Sequence, residues 1–263
     1  MAQPNRVALI TGGGTGIGAA AARYFAEEGT AVAVVGRRQQ PLDETVQTVH
    51  STGGTALAIC ADLADSNTPV QIIEAVEKEW GRLDVLVNNA AAIKHLPITQ
   101  ANRELFEEHL SVNVLAPYFL IQAALPYLHQ SESGVVINIS SSSGSLAIPG
   151  QSMYGTSKAA LEYLTRSLAA ELAPQIRVNA IAPGPVDTPI HLTWAGDDIE
   201  AAYQRMESEL PLRRMGTADE LAKWIVWLAS DDARFVTGVV IPVDGGQTLP
   251  GALSKIVDEE NSD

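Results

Sequence analysis

Val7-Ala8-Leu9-Ile10-Thr11-Gly12-Gly13-Gly14-Thr15-Gly16-Ile17-Gly18 is the stretch that decides the fold. A short apolar run passes through a glycine-rich turn directly into the helical pattern Ala19–Glu28, so strand, turn and helix follow in that order. Glycine admits positive φ and lets the backbone approach a pyrophosphate closely, while the free N–H groups at a helix start stabilise its charge. The expected ligand of Gly12, Thr15, Gly16, Ile17 and Gly18 is therefore a dinucleotide. An ordinary strand-to-helix turn is the alternative that the turn by itself leaves open.

Working outward, short β-branched runs alternate with longer helical patterns. Val7–Ile10, Ala31–Val35, Ala56–Cys60, Val85–Val87, Val135–Ile139, Val178–Ile181 and Val239–Val243 predict strands; residues 17–28, 41–51, 69–80, 99–110, 112–129, 153–173 and 217–229 predict helices. Seven strands separated by helices imply one α/β domain over residues 1–263, a Rossmann-type doubly wound parallel sheet. The strand runs are almost wholly apolar rather than alternating, so helices are expected on both faces. No internal repeat, low-complexity linker or compositional shift marks a second domain. Residues 189–215, with Gly196, Asp197, Asp198 and Pro211 around a short helical stretch, read as an insertion able to act as a lid. The tail 247–263 has little to bury and is expected to be loosely held.

The 263 residues, 46% of them apolar, support a sizeable core. A formal charge of −14 and an isoelectric point near 4.7 repel phosphate backbones and anionic lipid, which argues against nucleic-acid and membrane partners. Any bound phosphate then needs locally placed cations. The first apolar run is too short for a signal peptide and no later run approaches the roughly 20 residues of a membrane span, so a cytoplasmic protein is expected. The single cysteine, Cys60, cannot form an intrachain disulfide, and its place in Ala56–Cys60 predicts inert packing in a buried strand. His50, His95, His109, His129 and His191 are scattered without metal spacing, so no metal is expected.

About 20 residues beyond the glycine turn, a carboxylate ending the second strand would bind the adenosine ribose hydroxyls and favour NAD. Here that end reads Val35-Gly36-Arg37-Arg38. Gly36 offers no carboxylate to repel a 2′-phosphate, and Arg37 and Arg38 can bind one through charge-assisted hydrogen bonds. NADP(H) is the expected cofactor. The competing reading, solvated surface arginines, places two cations before a helix whose expected first residue is Pro41, where they oppose its dipole.

Tyr154-Gly155-Thr156-Ser157-Lys158 opens an amphipathic helix, and the four-residue separation puts phenol and ammonium on one face. A free phenol has a pKa near about 10, so tyrosine exchanges protons near neutrality only where a cation stabilises the phenolate, a charge Lys158 can supply. Ser140, Ser141, Ser142 and Ser143 end the fifth strand in a run that is also compatible with a turn bonding its own backbone.

The spacing Gly12-xxx-Gly16-x-Gly18, Asn88-Asn89-Ala90-Ala91, Ser141 with Tyr154 and Lys158, and Pro183-Gly184-Pro185-Val186-Asp187-Thr188 together resemble the short-chain dehydrogenase/reductase family, from about Arg6 to Gly246. The resemblance implies a catalytic set of Asn113, Ser141, Tyr154 and Lys158. Tyr154 would donate a proton to a carbonyl oxygen, Ser141 would stabilise that oxygen with Ser140 nearer the cofactor, and Lys158 would lower the phenol pKa and contact the nicotinamide ribose. Asn113 would interrupt its helix and hold a water in a proton relay. Asp62 and Leu63 would meet the adenine, Asn89 and Ala90 the adenosine wall, and Pro183, Gly184, Val186 and Thr188 the nicotinamide. Thr15, where many NADP-using relatives carry a basic residue, and Ala91, usually glycine, depart from the pattern. The implied substrate is a small-molecule ketone, 3-oxoacyl compound or secondary alcohol, and the implied assembly a homotetramer. His95, Leu146, Ile148, His191, Trp194 and Tyr203 are candidates for the substrate wall. A non-catalytic NADP sensor on the same fold is the rival reading; such proteins typically lose the tyrosine or lysine.

Overall fold

The structure, a computed structural model, describes residues 4–190 and 199–250. The chain runs β1 (Val7–Thr11), α1 (Gly16–Glu27), β2 (Ala31–Gly36), α2 (Gln39–Ser51), β3 (Ala56–Cys60), α3 (Thr68–Trp80), β4 (Val85–Asn88), α4 (Arg103–Leu110), a π-helical turn (Ser111–Leu115), α5 (Ala116–Leu128) and β5 (Gly134–Ile139). It continues α6 (Ser152–Leu172), β6 (Ile176–Pro183), β7 (Val186–Asp187), α7 (Ile199–Glu209), β8 (Gly216–Thr217), α8 (Ala218–Ala229) and β9 (Val240–Val243). Seven strands form one parallel sheet in the order β3-β2-β1-β4-β5-β6-β9, and β7 pairs with β8 in a separate two-stranded piece.

The apolar strand runs follow from burial on two sides. Ala8 and Ile10 of β1 point into the cluster under α1, α2 and α8, while Val7 and Leu9 point into the cluster under α3, α5 and α6. The strand order reverses between β1 and β4, which opens a crevice beyond the carboxyl ends of those two strands. Every sequence motif that ends a strand therefore lies along one rim of the sheet.

Four expectations need correction. Cys60 is exposed rather than core, because β3 is an edge strand with one flank unpaired, and its thiol lies 3.5 Å from the Arg37 carbonyl. Pro41 is the third residue of α2, not its first, since the helix begins at Gln39. The helix expected at 99–110 begins at Arg103, where Asn102 caps it by accepting from Leu105 N at 2.8 Å. It then runs through the π-turn into α5, so Arg103–Leu128 is one 26-residue helix whose apolar window has a mean hydropathy of 1.3, long and apolar enough by length and composition to cross a membrane. The sequence pattern divides this helix at Ser111. In the fold one side packs against α3, α6 and the sheet.

The insertion 189–215 contains α7 and the turn that leads to β8, and its residues 191–198 lie outside the described residues, as do His191 and Trp194. Of the tail, Gln247–Pro250 turns back on Asp244, whose carboxylate accepts from Thr248 N at 2.8 Å and Thr248 Oγ1 at 2.6 Å. This first part is tied down rather than loose.

Candidate functional site

The glycine turn is locked to β4 before any ligand arrives. Thr11 Oγ1 accepts from Asn89 N at 2.9 Å and Ala90 N at 3.0 Å, and Asn89 Nδ2 donates to Thr11 O at 2.8 Å and Gly12 O at 3.2 Å. The Asn89 amide is thus spent on holding the turn. Gly12 and Gly16 adopt φ of +65° and +55°. A Cβ on Gly18 would collide with Gly12 O and lie 2.6 Å from Asn89 Nδ2, so glycine is the only residue that lets α1 start this close to the turn. Thr15 precedes α1 in extended conformation without a side-chain cap, and the first turn of the helix carries no acidic residue. The N–H groups and positive dipole end remain available to an anion.

The remaining expected binding residues surround this turn. Thr188 packs its Cγ2 3.2 Å from where a Gly16 Cβ would stand, bringing the segment after β6 to the start of α1. Gly184 fits only because it has no Cβ, which would lie 2.7 Å from Asp244 Cα, while Thr188 Oγ1 donates to Val186 O at 3.2 Å. Pro183 closes β6. Arg37 and Arg38 are exposed at the end of β2, with Arg38 capping α2. Asp62 is exposed and accepts from Ala64 N at 3.0 Å, and Leu63 is buried in the core on the α3 side.

Tyr154, Ser157 and Lys158 are buried in the first turns of α6, facing β5 and the π-turn. The π-turn places Asn113 inward. Its Oδ1 accepts from Ala92 N at 2.8 Å, and its Nδ2 donates to Ala92 O at 2.9 Å and Ser157 Oγ at 2.9 Å. The asparagine interrupts its helix as the resemblance implies, and a one-residue π insertion is the physical form of that interruption.

Ser141 rather than Ser140 acts on the tyrosine, its hydroxyl pulling the Tyr154 pKa down. Ser141 Oγ donates to Ser143 Oγ at 3.2 Å, and Ser143 Oγ donates to Gln151 Oε1 at 2.5 Å. Gln151 Nε2 in turn lies 3.5 Å from His95 Nδ1, and burial pushes the His95 pKa below its ordinary value. Sequence reasoning does not single out Ser143 or Gln151, because a serine run and a lone glutamine carry no spacing signal. Ser140, expected nearer the cofactor, is buried and donates to Glu162 Oε1 at 2.9 Å. Leu146 and Ile148 are half-buried in the loop that follows, and Leu146 N donates to Ser142 O at 2.8 Å. Tyr203 on α7 donates to Asp187 Oδ1 at 3.2 Å, tying the insertion to the β6 exit.

Electrostatically, the pair differs from the expectation that Lys158 acidifies Tyr154. Lys158 Nζ lies 5.7 Å from the centre of the tyrosine ring and donates to Ile139 O at 2.7 Å. Burial pushes the phenol up to about 12, with the Ser141 hydrogen bond pulling the other way. Burial also brings Lys158 down to about 7, against the opposing pull of the Glu162 charge. The tyrosine is therefore a protonated donor near neutrality, while the lysine gains or loses its proton in that range.

Three comparisons place this geometry among known proteins. Residues 12–248 match the family described as enoyl-(acyl carrier protein) reductase. The chain is 35% identical to the 3-oxoacyl-[acyl-carrier-protein] reductase FabG of Thermotoga maritima, over 93% of this chain and 98% of the relative. A short-chain dehydrogenase/reductase of Serratia marcescens, solved as a double mutant, superposes with a TM-score of 0.86 at 31% identity, covering 94% of this chain and 99% of the other. The Pseudomonas aeruginosa RhlG/NADP active-site complex does so with a TM-score of 0.86 at 33% identity, covering 93% and 96%.

The Asn113 bonds carry a prediction. Asn113→Leu keeps the branched shape of the side chain but leaves Ala92 N–H and C=O without their partner, and stability should fall by at least about 1–3 kcal/mol, the usual loss for stranded polar groups. Denaturant midpoints of the two proteins measure it, and equal midpoints would show that solvent replaces the amide.

Proposed function

The chain belongs to the short-chain dehydrogenase/reductase family, and on that premise we propose that it transfers hydride between NADP(H) and the carbonyl or secondary-alcohol carbon of a small molecule of ketone or 3-oxoacyl type. The observation that carries this reading is the convergence of Tyr154, Ser141 and Lys158 at the rim that also holds the glycine turn. A regulatory sensor needs the turn but has no use for a buried phenol and ammonium beside it.

Gly12, Thr15, Gly16, Ile17 and Gly18 would hold the pyrophosphate, Arg37 and Arg38 the 2′-phosphate, and Asp62, Leu63 and Ala90 the adenosine. Asn89 supports the turn from behind. Pro183, Gly184, Val186 and Thr188 would receive the nicotinamide, whose ring supplies or accepts the hydride when bound. In reduction, Tyr154 gives its proton to the substrate oxygen and Ser141 holds that oxygen by a hydrogen bond; oxidation reverses these steps. The high phenol pKa favours the donor form. The insertion would act as a lid over the crevice, with the Tyr203–Asp187 hydrogen bond as one anchor of α7. The family description adds reduction of an activated double bond to the range of relatives, but a tyrosine and a serine aimed at one oxygen suit carbonyl chemistry better.

Two apolar surfaces support a homotetramer. Leu115, Tyr118 and Phe119 with Tyr163 are exposed on the α5–α6 side of the sheet, and Trp224 and Trp227 with Leu212 and Phe235 on the α8 side. Patches on opposite faces pair subunits about two different axes.

Three outcomes test the reading. Tyr154→Phe should keep fold and NADPH binding yet lower turnover of a ketone, 3-oxoacyl ester or alcohol panel by at least ~100-fold, the scale of general-acid catalysis; near-normal turnover would remove the mechanism. NADPH should be preferred over NADH by roughly tenfold to hundredfold in kcat/KM, the worth of about one charge-assisted contact. Gly36→Asp with Arg37→Ala should reverse that order, and the new side chain fits, since a Cβ at Gly36 meets only Leu42 at 3.5 Å. A native preference for NADH would make the arginines plain surface charges. Light scattering should give four chains per particle, and Phe119→Glu should halve it; a native monomer would end the oligomer proposal.

A further inference from the structure

Glu162 is a buried carboxylate that the hydride-transfer reading leaves without a role. It lies on α6 four residues beyond Lys158 and eight beyond Tyr154, on the same face, and is 8% exposed. Burying a carboxylate without compensation is costly, so its partners explain why it is there.

Those partners are the residues on either side of Ser141. Ser140 Oγ donates to Glu162 Oε1 at 2.9 Å. On the other side, Gly144 packs so closely that a Cβ there would collide with Glu162 Oε1 and lie 3.0 Å from its Cδ. One turn earlier on the helix, Lys158 Nζ donates to Ile139 O at 2.7 Å. One turn later, Thr165 Oγ1 accepts from Asn138 Nδ2 at 2.9 Å. Successive turns of α6 thus hold residues 138, 139 and 140, and the next residue is Ser141.

We propose that Glu162 is a positioning residue for the reaction: it fixes the two ends of the loop carrying Ser141, through the Ser140 hydroxyl and the close packing of Gly144, and sets a carboxylate one helical turn from Lys158 on the same buried face. This rests on the function proposed above. On its own helix Lys158 has Tyr154 one turn before it and Glu162 one turn after, and α4, which packs on α6, brings the buried His109 to the same side of the helix bundle. From β5 and its loop come the Ile139 carbonyl and the Ser140 hydroxyl, and from the π-turn the Asn113 amide bonded to Ser157, none of which titrates. Glu162 is therefore the charge set against the desolvation that lowers the Lys158 pKa.

The test needs neither substrate nor cofactor. In the full chain with ¹³C-labelled lysine, the Lys158 resonance, identified by its loss in Lys158→Ala, is titrated in the native protein, in Glu162→Gln and in Glu162→Asp. Removing the charge while keeping the shape should lower the midpoint by about one pH unit, which at neutrality cuts the protonated fraction about fivefold, and Glu162→Asp should restore most of it. A Glu162→Gln protein that folds and titrates like the native one overturns the electrostatic role. Ser140→Ala tests the other half and stands in if Glu162→Gln does not fold: amide exchange at residues 141–145 should quicken about tenfold, and unchanged exchange overturns the clamp. Failure of the hydride-transfer reading is a separate result, read from the turnover of Tyr154→Phe.

Discussion

A parallel sheet covered by helices on both faces leaves polar chemistry one place to gather, the ends of its strands. Along the strands of this sheet both faces are committed to the two apolar clusters, and backbone groups are consumed by the ladder. Residues that follow β1, β4, β5 and β6 emerge at one rim, and there the chain places its glycine turn, its two asparagines, its serine run and its Pro183–Thr188 segment. Because β1 and β4 are neighbours in the sheet but distant in sequence, the glycine turn and Asn89 meet across the switch and lock one another through Thr11.

The same burial that makes the rim rigid makes its charges conditional. Lys158 is buried almost completely and Tyr154 nearly so, which disfavours ammonium and phenolate alike. The lysine holds on to part of its charge through the Ile139 carbonyl and the Glu162 carboxylate, while burial leaves the phenol its proton. Protonation at this rim is thus governed by a handful of neighbours at fixed distances, with bulk solvent playing little part.

Much of this was legible in the sequence. The wholly apolar strand runs pointed to the doubly covered sheet, the glycine spacing to the turn, and the four-residue separation of Tyr154 and Lys158 put both on one face of α6. What stayed hidden depended on neighbours distant in sequence. Cys60 reads as core from its own run, yet among the described residues β3 has a single partner strand. Ser140 and Ser141 are chemically alike, and only the side on which α6 lies separates a structural hydroxyl from one facing the tyrosine. That the Asn89 amide holds the glycine turn was hidden because its acceptors, Thr11 and Gly12, lie 77 and more residues away. Glu162 follows the lysine by one turn, a signal the sequence did contain, but its meaning required Gly144 and Ser140 beside it.

The π-turn at Ser111–Leu115 also constrains how this chain could change its length. A π-turn holds one residue more than the α-helical geometry on either side accommodates, so α4 and α5 are one rod with a single-residue register defect. Deleting a residue there would heal the rod into regular α-helix and swing every side chain upstream of the deletion by about 100° relative to α5. Asn113 would leave Ala92 and Ser157, and the side of α4 that packs on α6 would turn off it. Insertions and deletions therefore have far more freedom in the connections outside this helix than within it, where helical continuity and the inward asparagine depend on an odd residue being kept.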